Sequence, residues 1–114
     1  MRILLVDDNA DMLESLQILL ETMGFEARGA ADGASALAEA ARFEPDVAVI
    51  DISLPDISGL ELAGRLRASA ARPLRLVAFS GHGSPEDIRR SLAAGFDEHL
   101  VKPVDLDQLV AALG

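Results

Sequence analysis

The chain has 114 residues, half of them hydrophobic, with ten basic against 19 acidic residues, a net charge of −9 and no cysteine. This length suits one domain with a real core. The acidic balance argues against sequence-independent nucleic-acid binding. The lack of cysteine excludes a disulfide framework or a thiolate metal site, and no apolar run approaches the roughly 18 residues of a membrane span.

Ile3 to Val6 is an apolar run cut off by Asp7-Asp8-Asn9, and reads as a first buried strand. The same acids make the start a poor secretory signal. From Asn9 the period becomes helical, with Met12, Leu13, Leu16, Leu19, Leu20 and Met23 at three- and four-residue intervals, and Gly24 closes the helix. Phe25 to Ala30 predicts a weaker second strand. Asp32 caps a second helix carrying Ala34, Leu37, Ala38 and Ala41, which Glu44-Pro45-Asp46 ends. Val47 to Ile50 is the third and central strand, stopping abruptly on Asp51. A loop with Pro55 follows, then Ser58-Gly59-Leu60-Glu61, a capping-box pattern opening a helix with Leu60, Leu62, Ala63 and Leu66. After the Arg72-Pro73 turn, Leu74 to Phe79 predicts a fourth strand ending on Ser80. Gly81-His82-Gly83 is a loop, and Ser84-Pro85-Glu86-Asp87 starts a helix that stops at Gly95. Asp97 to Val101 predicts the fifth strand, ending on Lys102-Pro103. Asp105, with Gln108 three residues on, caps the last helix.

Five strands alternating with five helices predict an α/β fold, a parallel sheet covered on both faces. Right-handed crossovers bring every strand's carboxyl end to one edge. Asp7, Asp8, Asp51, Ser80 and Lys102 therefore gather where open α/β sheets bind ligands. Three converging carboxylates repel one another and call for a cation. An all-oxygen donor set favours a hard ion, Mg²⁺ ahead of Mn²⁺ or Ca²⁺. A carboxylate flanked by Mg²⁺, an ammonium and a hydroxyl is suited to attack phosphorus, with those groups stabilising charge on the transferred oxygens.

Over its whole length the sequence resembles the receiver domains of two-component response regulators. The resemblance rests on Asp7-Asp8, Asp51, Leu54-Pro55-Asp56 with Gly59, Ser80 and Lys102-Pro103, in this order and at strand ends. It implies one domain over 1–114, with a doubly wound, flavodoxin-like (βα)5 fold of strand order 2-1-3-4-5. It implies that Asp51 is the phosphoacceptor, that Asp8 binds Mg²⁺ directly and Asp7 through water, and that the Ser53 backbone carbonyl is a further ligand. Ser80 would be the switch hydroxyl and Lys102 the phosphoryl contact. The implied partner is a sensor histidine kinase or a histidine phosphotransfer protein, in the cytoplasm, with no direct contact to nucleic acid or membrane and a monomer in isolation. Such a domain catalyses its own phosphorylation and dephosphorylation and turns over no free substrate. Family members often carry Tyr or Phe three residues before the lysine, as a rotameric switch; here that position is His99. With Gly95 to Pro103 around it, this resembles the receivers of hybrid sensor kinases. The end at Gly114 fits a domain of a larger protein and a small stand-alone regulator equally.

Simpler readings exist for single residues. Asp7, Asp8 and Asn9 are all good helix caps, and Asp8 alone would be read as one; the shared register with Asp51 and Lys102 outweighs that. Ser80 on its own reads equally as a turn residue, and Lys102 as a loop lysine, although three neighbouring acids favour pairing. His82 reads as solvated, while the resemblance would place it near the attacking water, where it bears on phosphoryl lifetime. His99 reads as a surface-side strand residue, and Arg89 and Arg90 as solvent-facing. The first helix has more apolar residues, Leu13 and Leu16 among them, than one buried stripe requires. That makes it, with the loop after the fifth strand, the expected partner face. A haloacid-dehalogenase-type phosphatase also uses an aspartate nucleophile, but has a second Asp where this chain has Ser53. A receiver-like module that is never phosphorylated is the remaining alternative, and the complete acid set argues against it.

Overall fold

The computed structural model describes residues 1–81 and 83–114. His82, read as solvated and by resemblance as bearing on phosphoryl lifetime, lies outside the described residues. The order of elements is β1 (Arg2–Val6), α1 (Ala10–Thr22), β2 (Glu26–Ala30), α2 (Gly33–Phe43), β3 (Val47–Asp51), α3 (Gly59–Ser69), β4 (Arg75–Ser80), α4 (Pro85–Ala93), β5 (Glu98–Val101) and α5 (Leu106–Ala112). The strands form one parallel sheet in the order β2-β1-β3-β4-β5, the doubly wound arrangement expected.

Strand alternation divides the core in two. Leu4, Val6, Ala48, Ile50, Leu76 and Ala78 face α2 and α3, where they meet Ala36, Leu62, Ala63 and Leu66. Ile3, Leu5, Val47, Val49, Val77 and Phe79 face α1 and α5, where they meet Leu13, Leu20, Leu109 and Leu113. Burial on both faces is why these strands read as unbroken apolar runs. All five residues of β3, Asp51 included, are buried.

Helix starts follow the predicted caps. The side chains of Asn9, Asp32, Ser58, Ser84 and Asp105 each accept a backbone N–H from the first turn of the next helix. The box at Ser58 differs from expectation: Ser58 Oγ accepts from Glu61 N at 3.1 Å, but the Glu61 carboxylate turns to Arg65, 3.5 Å away. The reciprocal box is made at α5 by Asp105 and Gln108. Gly24 and Gly95 follow α1 and α4 at φ of +94° and +110°, values only glycine adopts cheaply. β2 starts at Glu26 rather than Phe25, because the Phe25 amide still bonds back to Leu20 O at 3.1 Å.

The surplus apolar residues of α1 lie elsewhere on the helix than expected. Leu13 is buried and Leu16 packs against the core. The exposed ones are Ile18 and Leu19, with Met23 just past the helix end.

α3 is brought close to the central strand by a glycine. A Cβ at Gly59 would stand 2.6 Å from Ile52 Cα and 2.7 Å from the Asp51 carbonyl oxygen, both backbone atoms that cannot swing away. Gly59→Ala should cost about 1–3 kcal/mol, the usual range for overpacking. Gly64, in the middle of the same helix with open space around it, should gain roughly 0.5–1 kcal/mol on conversion to Ala. Urea unfolding of the two variants tests the opposite signs.

Candidate functional site

The carboxyl ends of β1, β3, β4 and β5 place Asp7, Asp8, Asp51, Ser80 and Lys102 at one edge, because all these strands run parallel. Asp7, Asp51 and Ser80 are 3%, 5% and 5% exposed. Asp8 points into solvent. Lys102 Nζ reaches between the acids, 2.8 Å from Asp7 Oδ2 and 3.3 Å from Asp51 Oδ2. It also lies 5.2 Å from the centre of the Phe79 ring, on whose face a cation is attracted. The backbone holds this lysine in place: Lys102 N donates to Ser80 O at 2.7 Å.

The second oxygen of each buried acid is fixed by its own following loop. Asp7 Oδ1 accepts from Asn9 N and Asp51 Oδ1 from Ser53 N, both at 2.9 Å. Burial pushes the Asp51 carboxyl above its ordinary range, helped by the charge of Asp7 and opposed by the Ser53 amide and Lys102. Burial disfavours the Lys102 ammonium, but the hydrogen bond to Asp7 and the charge of Asp51 outweigh it, so Lys102 is held above its ordinary range.

Oxygens from Asp7, Asp8 and Asp51 lie within 4.8 Å of one another. A purely carboxylate set at this spacing, one member open to solvent, fits a hard divalent cation that keeps some of its waters. Ser53 sits next to it, on the loop after β3. That loop is pinned by Asp56, whose carboxylate accepts from Gly33 N at 2.8 Å and Ala34 N at 3.0 Å at the start of α2. The Gly33 amide, with those of Ala34 and Ile57, holds the Asp56 carboxyl below its ordinary range. Sequence reading gave Asp56 no such part, since its contacts lie more than 20 positions away.

His99 is placed differently from the surface-side position expected. It is half-buried beneath α4, with Nε2 3.0 Å from Ser80 Oγ and Nδ1 2.7 Å from Ser91 Oγ. The edge strand β5 is covered by α4 on this side, which turns the ring inward. Ser91, fully buried, was missed. Its signal is that Ile88 and Ser91, one turn apart, fall on the inner side of a helix otherwise rich in charge.

A doubly wound sheet carries an acid cluster, a lysine and a hydroxyl at its carboxyl edge, the arrangement expected of a phosphoacceptor domain. Comparison with known proteins gives the family. The model of the response regulator receiver domain matches residues 3–114, and the chain belongs to that family. The transcriptional regulatory protein PrrA of Mycobacterium tuberculosis is 41% identical over 110 residues, covering 96% of this chain and 47% of PrrA. The chain thus spans about half the length of the curated relatives it matches. Among solved structures, the Vibrio cholerae chemotaxis protein CheY4 is similar at a TM-score of 0.90 and 30% identity, over 98% of this chain and 94% of that one. A Burkholderia pseudomallei response regulator, solved with a phosphorylated aspartic acid, calcium ion and citrate, is similar at a TM-score of 0.90 and 27% identity, over 99% of this chain and 66% of that one. Receiver domains are phosphoacceptor switches of two-component signalling, and a histidine kinase or phosphotransfer protein is the partner class this implies.

The two perturbed acids should move stability in opposite directions with pH. A raised carboxyl pKa means that the folded chain holds the Asp51 proton to higher pH than the unfolded chain does, so ionisation opposes folding. Without divalent cations, Asp51→Asn should melt above the wild type at pH 7, and the gap should close as pH falls through the raised folded value toward the ordinary value of 3.8. Asp56 has the opposite sign: its contribution is present above 3.8 and is lost as pH falls through its lower folded value. Asp56→Asn should melt below the wild type at pH 7 and converge with it in acid. Circular-dichroism melts across the pH range check both.

Proposed function

We propose that Asp51 takes a phosphoryl group from a phosphohistidine of a sensor kinase or phosphotransfer protein. The observation that carries this reading is a single buried carboxylate at the end of the central strand, with Lys102 Nζ at 3.3 Å and two further acids alongside. An Asp51 oxygen forms the new bond to phosphorus as the bond from phosphorus to the imidazole nitrogen breaks, and that nitrogen leaves with the electron pair.

Asp7, Asp8, Asp51 and the Ser53 carbonyl are the groups that would hold Mg²⁺, with Asp7 acting through water. Bound there, the ion would neutralise charge between the carboxylates and the phosphoryl oxygens. Lys102 stands ready for the same oxygens once it exchanges Asp51 for them. Ser80 supplies a hydroxyl from the neighbouring strand end. The Burkholderia regulator carrying a phosphorylated aspartic acid and a calcium ion supports the same pairing of group and cation here. The domain catalyses only its own phosphorylation and the hydrolysis of its own acyl phosphate.

The output lies outside the domain. Relatives in which it makes up about half the length are transcriptional regulators, and a hybrid kinase would use the same module. With a net charge of −9 the domain itself has no direct nucleic-acid role. Among the described residues no helix is long and apolar enough to cross a membrane. We assign it to the cytoplasm, as a monomer when isolated.

Incubation with acetyl phosphate and Mg²⁺, read by intact mass, should add one phosphoryl group to the wild type and none to Asp51→Asn. Lys102→Ala should take up label about 10²-fold more slowly, the usual cost of losing one charge-stabilising donor. An undiminished adduct on Asp51→Asn would overturn the assignment.

A further inference from the structure

Ser80, His99 and Ser91 form a chain of hydrogen bonds whose direction is fixed at its far end. Ser91 Oγ lies 2.9 Å from the Ile88 carbonyl oxygen and 2.7 Å from His99 Nδ1, and His99 Nε2 lies 3.0 Å from Ser80 Oγ. A carbonyl oxygen only accepts, so the single hydroxyl proton of Ser91 goes to Ile88. Toward His99 the Ser91 oxygen can then only accept, and Nδ1 must carry a proton. With the imidazole neutral, its other nitrogen is an acceptor. Ser80 is therefore the donor in its bond to His99.

The far end of this chain is where α4 is held. Ser91 is the one fully buried residue of α4, and Leu92 beside it is 47% exposed. The other helices each bury an apolar side chain in the sheet. A helix with so little buried apolar surface belongs to the least stable elements of a fold. A cavity of about 200 Å³ lined by Ile52, Ser53, Leu60, Ser80, Ser91 and His99 gives the ring and the hydroxyl room to move.

We propose that Ser91 sets the tautomer of His99 and makes it a positioning residue for the Ser80 hydroxyl. In the resting protein His99 Nε2 holds the Ser80 proton. The hydroxyl serves the phosphoryl group only by giving that bond up. The inference rests on the reading of Asp51 as acceptor and Ser80 as phosphoryl contact. A phosphoryl oxygen is charged, and hydrogen bonds to charged acceptors are about twice as strong as neutral ones, so it wins the competition. The Ser80–His99 bond is then broken, and the ring and the helix tied to it through Ser91 rearrange. Phosphorylation is thereby read out at α4 through two hydrogen bonds rather than through the packing of an aromatic ring.

Imidazole ¹⁵N spectra test this directly, with His99→Gln assigning the signals of the two histidines in the chain. At a pH where the ring is neutral, resting wild type should show His99 protonated at Nδ1. Ser91→Ala, a small change at a buried site, should shift the tautomer ratio toward Nε2–H by roughly 2–10-fold, the equivalent of one net hydrogen bond. With beryllofluoride and Mg²⁺, Ser91→Ala should keep the amide shift at Ser80 and lose most of that in α4, while still accepting label at Asp51. A wild-type ring protonated at Nε2, a ratio unchanged in Ser91→Ala, or a full α4 shift in that variant overturns the proposal. The resting spectra involve no phosphoryl chemistry. A missing label at Asp51 would therefore overturn the acceptor reading and not the relay, and a wrong tautomer the relay alone.

Discussion

One ammonium group ties three strands together at the edge of the sheet. Lys102, just past β5, bonds to Asp7 after β1 and to Asp51 at the end of β3. Both acids are almost fully buried, and their mutual repulsion would act against the fold without a positive charge between them. Removing the lysine would leave two buried carboxylates uncompensated, at a cost of about 3–5 kcal/mol. That is an upper bound here, since the lysine side chain is 29% exposed. The same constraint makes the site reactive: the lysine sits where the charge of an incoming phosphoryl group would be met, and one face of the acid cluster remains open through Asp8.

Everything else positions that edge. The parallel order β2-β1-β3-β4-β5 puts the strand ends side by side, and burial of the strands on both faces keeps them there. The loop that carries Ser53 is closed by two contacts at its far side. One is the close approach of Gly59 to the Asp51 and Ile52 backbone, and the other is Asp56 on the amides of α2. α4 is the exception to apolar anchoring, and it is the element that the Ser80–His99–Ser91 chain reaches.

The fold and the acids were legible because both depend on local pattern. Short apolar runs bounded by turn formers, such as Val47 to Ile50, read as strands buried on both faces, and an acid directly after one then sits at the rim. Caps such as Asp32 and Asp105 act within three residues, so they too can be read along the chain. What escaped depends on how elements pack. His99 reads along the chain as a surface-side residue, and only the placement of α4 over the edge strand β5 turns the ring inward. Ser91 is one serine among polar residues until the rotation of α4 about its axis is known. Asp56 looks like a loop acid, yet its partners are 22 and 23 positions away. The exposed apolar positions of α1 fell on Ile18 and Leu19 rather than Leu13 because helix phase relative to the sheet is a tertiary property.

The central claim is that Asp7, Asp8 and Asp51 act together as a cation site whose charges repel in its absence. Thermal melts of wild type and Asp8→Asn, each in EDTA and in Mg²⁺, test it most directly. For wild type at about ten times the dissociation constant, mass action gives roughly 1.4 kcal/mol, or a rise of about 6 °C for a chain of this length. Asp8→Asn should melt above wild type in EDTA and gain little from Mg²⁺, two effects of opposite sign that a packing defect cannot imitate. A variant that melts below wild type in EDTA and keeps the full Mg²⁺ response would show Asp8 to be only a helix-end residue and contradict the account.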